Sequence, residues 1–342
     1  MCKSSLALRI REKAVELGFA ACGIIKLDAI KGYAEKLEER MDCLPETRSM
    51  YEVFLKYATP EQSYGWAKSV VVCITRYGKY KVPENLEGLI GKYYLYDYKL
   101  QGHTREFQNH ARFEEYLKSL NLKTARELHG VTAARWVAAK AGLGIIRKNN
   151  FLYTEHGSWV IIDTWLIDEE LELIEEPKIP DCPEGCSECV QSCPTQALTQ
   201  SYCTSMLTCI TRLTWGIKDL PPEDLWDKMG KWVYGCDECQ NACPMNYGKW
   251  EATDNYPGLG ELAEKLSLES IVAMDNEELK NQMLSKFWFI RQETVYQWKV
   301  NALRAMANSY ESRYEKYIIG ALSDENAQVR EIAKWACAKN KL

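Results

Sequence analysis

The chain has 342 residues, of which 46% are hydrophobic, and it carries a formal net charge of −5 at pH 7. This length is enough for two or three domains with their own hydrophobic cores. No apolar run approaches the ~20 residues that a membrane-spanning helix needs, which excludes an integral helical membrane protein.

Residues 1–176 predict an α/β domain. Three continuous apolar runs have the length of strands that are covered on both faces, and they lie at 19–25, 69–77 and 158–167. Helical patterns lie between the second and third runs, at 104–120 and 131–141. This alternation predicts a βαβ-type sandwich, with Cys22 and Cys73 as buried apolar fillers of its strands.

The N-terminal residues predict a charged amphipathic helix that ends at Gly18, and they do not have the pattern of a signal peptide. We therefore expect a cytoplasmic protein. Disulfides are rare where thiols are kept reduced, so the sequence predicts no disulfide.

Cysteines are concentrated in the next segment, residues 177–250, which holds nine of the fourteen. Six of them form two copies of the pattern C-x2-C-x3-C-P, namely Cys186, Cys189 and Cys193, and then Cys236, Cys239 and Cys243. Three cysteines in a tight turn can hold three corners of a [4Fe–4S] cube, whereas the cysteine before the proline reaches the other cube. The pattern predicts two [4Fe–4S] clusters.

This exchange of ligands divides the cysteines into two sets. The first cysteine set is Cys182, Cys186, Cys189 and Cys243, and the second cysteine set is Cys193, Cys209, Cys236 and Cys239. Cys209 is preferred as the remaining ligand of the second set, and Cys203 is the alternative. A structural zinc could also use paired C-x2-C elements, but it does not explain two C-x3-C-P endings.

Two clusters with a cysteine at every corner transfer electrons and leave no iron open to a substrate. The chain is therefore either a small electron carrier or an enzyme that delivers electrons to a second centre. A bare two-cluster ferredoxin is far shorter than 342 residues, so the length favours the enzyme.

Residues 251–342 predict a helical tail. Two segments, 295–309 and 326–338, are predicted to form one antiparallel HEAT-type pair, which must pack on a neighbouring domain to bury its apolar face. Residues 284–342 contain ten Lys or Arg against six Asp or Glu. This surplus fits either a solvated helical face or a patch for a polyanion such as RNA.

The order of these parts resembles the epoxyqueuosine reductase family, which comprises cobalamin-dependent iron–sulfur enzymes related to reductive dehalogenases. The resemblance covers nearly the whole chain. Its motifs are KAGLG (140–144), RKNNFL (147–152), GSW (157–159), CVQSCPTQAL (189–198), CITRLTWG (209–216) and YGCDECQNACPMN (234–246), with VNALRAMAN (300–308) and ALSDENAQVREIAKWA (321–336) in the tail.

The resemblance implies that the α/β domain and the cluster domain enclose a base-off cobalamin, whose Co(I) form supplies electrons to cleave a substrate bond. The corrin contacts that it implies are Asn149, Asn150, Ser158, Ile210, Thr211 and Arg212. It also implies a low-potential electron donor, a ferredoxin or a flavodoxin. Epoxyqueuosine in tRNA is the best single substrate.

One departure from the family concerns the proton donor. The family carries an Asp in a V-D-x-A-P-V-L-E-R stretch just before KAGLG, and here that Asp position falls near Leu128. The Asp, the Pro and the Glu-Arg pair are missing. Glu127 and His129 flank the position and are the local candidates for a catalytic acid, although both could equally be surface residues. The tyrosine-rich segment 93–99 is another source of acid, or an aromatic packing segment.

Three alternatives stay open at this point. A dehalogenase-like enzyme acting on a small molecule needs less acid assistance, because a halide leaves more easily than an oxygen. An electron-transfer protein could reduce a corrinoid held by a partner. An RNA-binding helical-repeat protein with structural clusters would explain the basic tail but not two complete redox clusters.

Overall fold

The computed structural model describes residues 3–342. The helices of the N-terminal part are α1 (Lys3–Glu16), α2 (Tyr33–Cys43), α3 (Arg48–Glu52), α4 (Lys92–Tyr96), α5 (Arg105–Ser119) and α6 (Ala134–Lys140). Its strands are β1 (Ala21–Lys26), β2 (Ser69–Arg76), β3 (Thr124–Ala125), β4 (Ile145–Ile146), β5 (Leu152–Tyr153) and β6 (Val160–Ile167). The three predicted strands and both predicted helices are therefore present, within a few residues of the expected bounds.

The central sheet has four strands in the order β1-β2-β6-β3, and every neighbouring pair is antiparallel. The prediction of βαβ units, which require parallel strands, is wrong. Continuous apolar runs show that a strand is covered on both faces, and they carry no information about its direction. Cys22 and Cys73 are partners in this sheet and are both buried, as predicted.

Helices cover both faces of the sheet. On one face, α1 and α5 pack Ile10 and Phe113 against strand residues such as Trp165. On the other face, α6 packs Val137 and Ala138 against the strands. This three-layer arrangement explains why strands β1, β2 and β6 consist largely of apolar residues.

The cluster segment, residues 177–250, contains little regular structure. Its helices are α7 (Glu188–Gln191), α8 (Ile210–Trp215) and α9 (Glu238–Asn241), and its strands are β7 (Leu198–Gln200) and β8 (Cys203–Thr204), which form a hairpin. Helices α7 and α9 each lie inside one C-x2-C-x3-C-P motif and pack against each other. The two motifs are therefore adjacent in space although they lie far apart in the chain.

The tail is helical, as predicted. Its helices are α10 (Leu259–Lys265), α11 (Leu268–Ala273), α12 (Asn276–Met283), α13 (Gln297–Asn308), α14 (Glu315–Gly320) and α15 (Ala327–Asn340). Helices α13 and α15 pack together, and the apolar face expected of the second segment is fully buried at Val329, Ile332, Ala333 and Ala336. No helix of residues 3–342 is long and apolar enough to cross a membrane.

One aromatic core joins all three parts of the chain. It contains Tyr77 and Trp159 from the N-terminal part, Tyr234 from the cluster segment and Trp298 from the tail. The rings of Tyr234 and Trp298 stack with their centroids 5.1 Å apart. The tail therefore buries its apolar face against the other two parts, as a single helical pair requires.

Candidate functional site

The sulfur atoms near Cys189 come from both cysteine motifs. Burial raises the pKa of Cys189 to about 11, and the neighbouring sulfurs of Cys243, Cys182 and Cys186 add to the shift. Cys243 belongs to the second motif, yet its sulfur lies with those of the first. This grouping coincides with the first cysteine set.

A second group of sulfurs surrounds Cys239. Burial raises the pKa of Cys239. The sulfurs of Cys209 and Cys193 raise it further, and Asp237 and the sulfur of Cys189 contribute less. Burial also raises the pKa of Cys236, whose sulfur neighbours are those of Cys239 and Cys209. This grouping coincides with the second cysteine set. Within residues 3–342, no group of three or more His, Cys, Asp or Glu is arranged to hold one metal ion. In a cube each cysteine binds its own iron, so the sulfurs surround a cluster without meeting at one point.

The prediction that the chain contains no disulfide is wrong. Cys43, at the end of α2, is bonded to Cys203 in β8, and their Cα atoms are 6.4 Å apart. The hairpin of β7 and β8 carries Cys203 against α2, within the distance that a disulfide spans. No sequence signal could have paired these residues, because they lie 160 positions apart. The sulfur of Cys203 is thus engaged, whereas that of Cys209 lies among the second cysteine set.

A cavity of about 590 Å³ lies between the N-terminal part and the cluster segment. Its volume is within the range of small-molecule and cofactor sites. The walls are formed by α2, by the segment leading into α6 and by the β7–β8 hairpin, and the lining includes Tyr33, Arg40, Cys43, His129, Arg135, Trp136, Asn150, Tyr202 and Cys203.

Two arginines make one wall of this cavity positive. Arg40 donates a 2.8 Å hydrogen bond to the side-chain oxygen of Asn150, and Arg135 donates to the backbone oxygen of the same residue. Burial lowers the pKa of Arg135, and the charge of Arg40 lowers it further. In the described part of the chain, neither guanidinium forms an ion pair. The wall therefore favours a ligand that carries negative charge.

Asn150 connects this wall to the cluster segment. Its backbone has a φ of 64°, and its side-chain nitrogen donates to the hydroxyl of Thr204 at 3.0 Å. An asparagine tolerates this left-handed conformation better than most residues do. Asn150 thus holds the two arginines and the hairpin in one arrangement.

Asn150 lines the cavity, whereas the other five predicted corrin contacts are not among the residues of its lining. Asn149 is buried and donates to the hydroxyl of Tyr153 and to the backbone oxygen of Cys239. Ser158 is buried, and it forms hydrogen bonds with Gln240 and Asn246. Ile210, Thr211 and Arg212 are on α8, where Ile210 is buried in a small apolar cluster. One guanidinium nitrogen of Arg212 is buried, and no described residue forms a hydrogen bond with it.

The two candidate acids have different surroundings. His129 lines the cavity, and its ring lies 5.1 Å from that of Trp288. Glu127 lies outside the cavity lining, and its carboxylate accepts a hydrogen bond from the hydroxyl of Tyr64. The structure therefore distinguishes the two candidates, because His129 faces the cavity and Glu127 does not.

The motif count also requires a correction. With Leu128 at the Asp position, the last residue of V-D-x-A-P-V-L-E-R falls on Arg135. The Arg of that motif is therefore present, and the Asp, the Pro and the Glu are missing. The position of this arginine, seven residues after Leu128, is the sequence signal that identifies it. Its place in the cavity wall makes it a site residue that the sequence analysis missed.

The tyrosines of segment 93–99 pack in the protein interior. Tyr94 accepts a 3.0 Å hydrogen bond from the indole of Trp215, and Tyr96 belongs to the aromatic core. Tyr98 donates to Asp163, which also lies 3.2 Å from His110. These phenols lie away from the cavity lining, so the segment acts as aromatic packing.

Comparisons with known proteins identify relatives of this chain. Residues 182–246 match the family described as "4Fe-4S double cluster binding domain". The epoxyqueuosine reductase of Cellulophaga algicola is 31% identical over 245 residues, covering 69% of this chain and 78% of that protein. The enzyme of Cyclobacterium marinum is 32% identical over 249 residues, with the same coverage.

Solved structures extend the likeness to almost the full chain. The crystal structure of an epoxyqueuosine reductase with an epoxyqueuosine-modified tRNA-Tyr stem loop aligns with a TM-score of 0.79 and 25% sequence identity. The alignment covers 98% of this chain and 90% of that one. The similarity therefore includes the tail and the N-terminal part as well as the cluster segment.

Proposed function

The chain belongs to the epoxyqueuosine reductase family, and from this premise we propose that it is a cobalamin-dependent reductase of a C–O bond. The family establishes an oxidoreductase with a double [4Fe–4S] cluster domain. We assign the first and second cysteine sets as the ligands of the two clusters. We place the corrinoid in the cavity and take epoxyqueuosine in tRNA as the substrate.

The observation that supports this proposal most strongly is the position of the cavity. Its walls come from the N-terminal part and from the hairpin that lies between the cysteine motifs. Burial raises the pKa of Tyr202, a residue of this wall, and the sulfur of Cys182 adds to the shift. Because these two side chains are neighbours, the cluster proposed for the first cysteine set lies close to the cavity.

The positive charge of the cavity wall, as well as the position of the cavity, supports a corrinoid as the ligand. A reduced corrinoid, when bound, supplies the electrons that break the C–O bond. Arg40 and Arg135 offer guanidinium donors to an anionic phosphate, which both a corrinoid tail and a tRNA carry. Lys36 and Glu39 also line the cavity, but they form an ion pair with each other. The net charge of the lining therefore comes from the two arginines.

We propose His129 as the residue that donates the proton to the leaving oxygen. Its side chain lines the cavity, and an imidazole can hold a transferable proton near neutral pH. Glu127 is the weaker candidate, because it lies outside the lining and its carboxylate is engaged by Tyr64.

Transfer RNA is proposed on the family likeness and not on the charge of the tail. Of the ten basic residues in 284–342, Lys286 and Arg304 are buried. Lys299, Lys339, Arg291 and Arg313 form ion pairs with nearby carboxylates. The tail therefore presents fewer free charges than its composition indicates. A tRNA substrate also fits a cytoplasmic enzyme that receives electrons from a low-potential ferredoxin or flavodoxin.

A dehalogenase-like enzyme is the second candidate. Leu128 at the Asp position favours it, because a halide needs less help from an acid than an oxygen does. Both candidate functions use the same proposed domains. These are residues 1–176, residues 177–250 and a HEAT-like tail of residues 251–342.

The test is an anaerobic turnover assay of the iron-loaded protein with and without cobalamin. We expect conversion of epoxyqueuosine-containing tRNA that depends on cobalamin and on the electron donor. A halogenated aromatic serves as the competing substrate. Conversion of the halide alone would select the second candidate, and turnover without cobalamin would refute the corrinoid proposal.

A further inference from the structure

The disulfide between Cys43 and Cys203 lies in the wall of the cavity. Both residues line it, and together they connect α2 to the β7–β8 hairpin across its two walls. The amide of Gln200 donates a hydrogen bond of 3.1 Å to the sulfur of Cys43. The bond is therefore in a polar setting beside the place where a ligand would bind.

Two other cysteines provide a contrast. Cys22 and Cys73 are directly paired across β1 and β2, yet both are free thiols in the apolar core. Proximity alone thus does not produce a disulfide in this chain. The bonded pair is the one at the cavity, next to the cluster segment.

The residues on either side of Cys203 lie near both cysteine sets. Tyr202 has the sulfurs of Cys182 and Cys189 as neighbours. On the other side, the backbone oxygen of Thr204 accepts a 2.7 Å hydrogen bond from Tyr51, whose phenol is near the sulfur of Cys209. The two residues that flank Cys203 in the chain therefore connect it to both cysteine sets.

We propose that Cys43 and Cys203 form a redox-active pair that the two clusters reduce. This inference rests on the proposed function for the presence of filled clusters and of an electron donor. In the step, the S–S bond takes up two electrons from the ferredoxin or flavodoxin donor, which bound clusters would pass on one at a time. Two protons from solvent complete the two thiols, and the donor is oxidised by two electrons.

Reduction has a structural consequence. Breaking the bond removes the covalent link between α2 and the hairpin and leaves two thiols on the cavity wall. In an enzyme that acts on tRNA inside the cell, disulfides are usually transient and either catalytic or redox-sensing. The pair thus links the state of the clusters to the freedom of the cavity walls.

The experiment measures thiols and electrons, and uses neither cobalamin nor substrate. Iron-loaded wild-type protein is reduced anaerobically with photoreduced ferredoxin, then alkylated and analysed by peptide mass spectrometry. Only 2% of Cys203 is exposed, so direct contact of the donor protein with the pair is limited to Cys43, which is half-buried. We expect Cys43 and Cys203 to resist alkylation before reduction and to be labelled after it. Cys337, a free thiol in α15, is the control that is labelled in both samples.

An electron count provides the second measurement. Wild type should take up about four electrons per chain, one for each cluster and two for the disulfide, and Cys43→Ser about two. The inference is overturned if Cys43 and Cys203 are labelled before reduction, or if they stay bonded once the clusters are reduced. Because the readout involves no turnover, labelled thiols in a protein that binds no cobalamin would refute the proposed function and leave this inference intact.

Discussion

The cluster segment meets the rest of the molecule through two contrasting faces. On the cavity face, Arg40, Arg135 and Asn150 surround an open space. On the aromatic face, Tyr234 and Trp298 stack in a buried apolar core, and Asn301 donates a 2.8 Å hydrogen bond to the backbone of Thr214. One face is closed by apolar burial and the other keeps charged groups around a cavity.

This contrast separates stability from chemistry within one segment. Buried aromatic side chains contribute strongly to stability through the area that they remove from water. Cationic groups around a cavity cost stability, because a partly desolvated charge is held without an opposite charge beside it. The tail and its aromatic core thus stabilise a cluster segment whose other face is free to bind a ligand. Four substitutions test this division.

The largest effect is expected from a cluster ligand. Cys193→Ser should remove about four of about eight irons per chain and abolish turnover, because each cube needs all its cysteines. The lost cluster should be the one held by Cys236 and Cys239, and not the one beside it in sequence. Iron analysis and electron paramagnetic resonance of the reduced protein measure this. If Cys193→Ser and Cys186→Ser disturb the same cluster, the exchange of ligands is wrong.

The second effect concerns the cavity face. His129→Ala should slow turnover by about 10²–10⁴-fold and leave cobalamin binding unchanged, because a general acid acts in the chemical step. Glu127→Gln is the matched control and should change the rate by less than a few fold. Single-turnover rates and a cobalamin titration of both variants provide the comparison. Equal losses in the two variants would remove His129 as the donor.

The third effect concerns the aromatic face. Trp298→Ala should lower the free energy of unfolding by about 3–5 kcal/mol, since it opens a cavity in a fully buried core. The turnover rate of the folded fraction should stay near that of wild type. Tyr247→Ala, at an aromatic residue that is 68% exposed, is the control and should change stability by less than about 0.5 kcal/mol. A loss of turnover without a loss of stability would contradict the division between the faces.

The smallest effect concerns a buried amine in the tail. Burial lowers the pKa of Lys286 from 10.5 to about 8, and its nitrogen has no hydrogen-bond partner among residues 3–342. Between these two values the unfolded chain binds the proton more tightly than the folded one, so the stability of wild type should rise with pH across this window.

Lys286→Met should remove this slope and stabilise the protein below pH 8 by about 1–3 kcal/mol. The contact of the ammonium group with the ring of Tyr256, at 4.7 Å, offsets part of the gain. Urea denaturation at pH 7.5 and 9.5 measures both effects. If the variant is less stable than wild type at pH 7.5, the buried ammonium group of Lys286 stabilises the fold, contrary to this prediction.

Local patterns predicted the elements of the fold well, and failed where distant residues meet. The apolar runs located β1, β2 and β6, but strand direction depends on connections that a run does not contain. The helical spacing of Val329 and Ile332 identified a buried face, although its partners in the aromatic core come from three parts of the chain.

The candidate site shows the same limit. The cysteine motifs predicted which sulfurs group together, because their spacing is local and the exchange between motifs follows from the proline endings. The bond between Cys43 and Cys203 spans 160 residues and had no such signal. Likewise, the sequence placed Glu127 and His129 side by side, and only the fold directs one of them to the cavity.

The central claim is that the cavity face holds a corrinoid beside filled clusters. Anaerobic titration of the iron-loaded protein with cobalamin tests it most directly. We predict a shift of the corrinoid absorption spectrum to the base-off form, with about one cobalt per chain retained after desalting. An unchanged spectrum and no retained cobalt, in protein that contains its full complement of iron, would contradict the claim and identify an electron carrier.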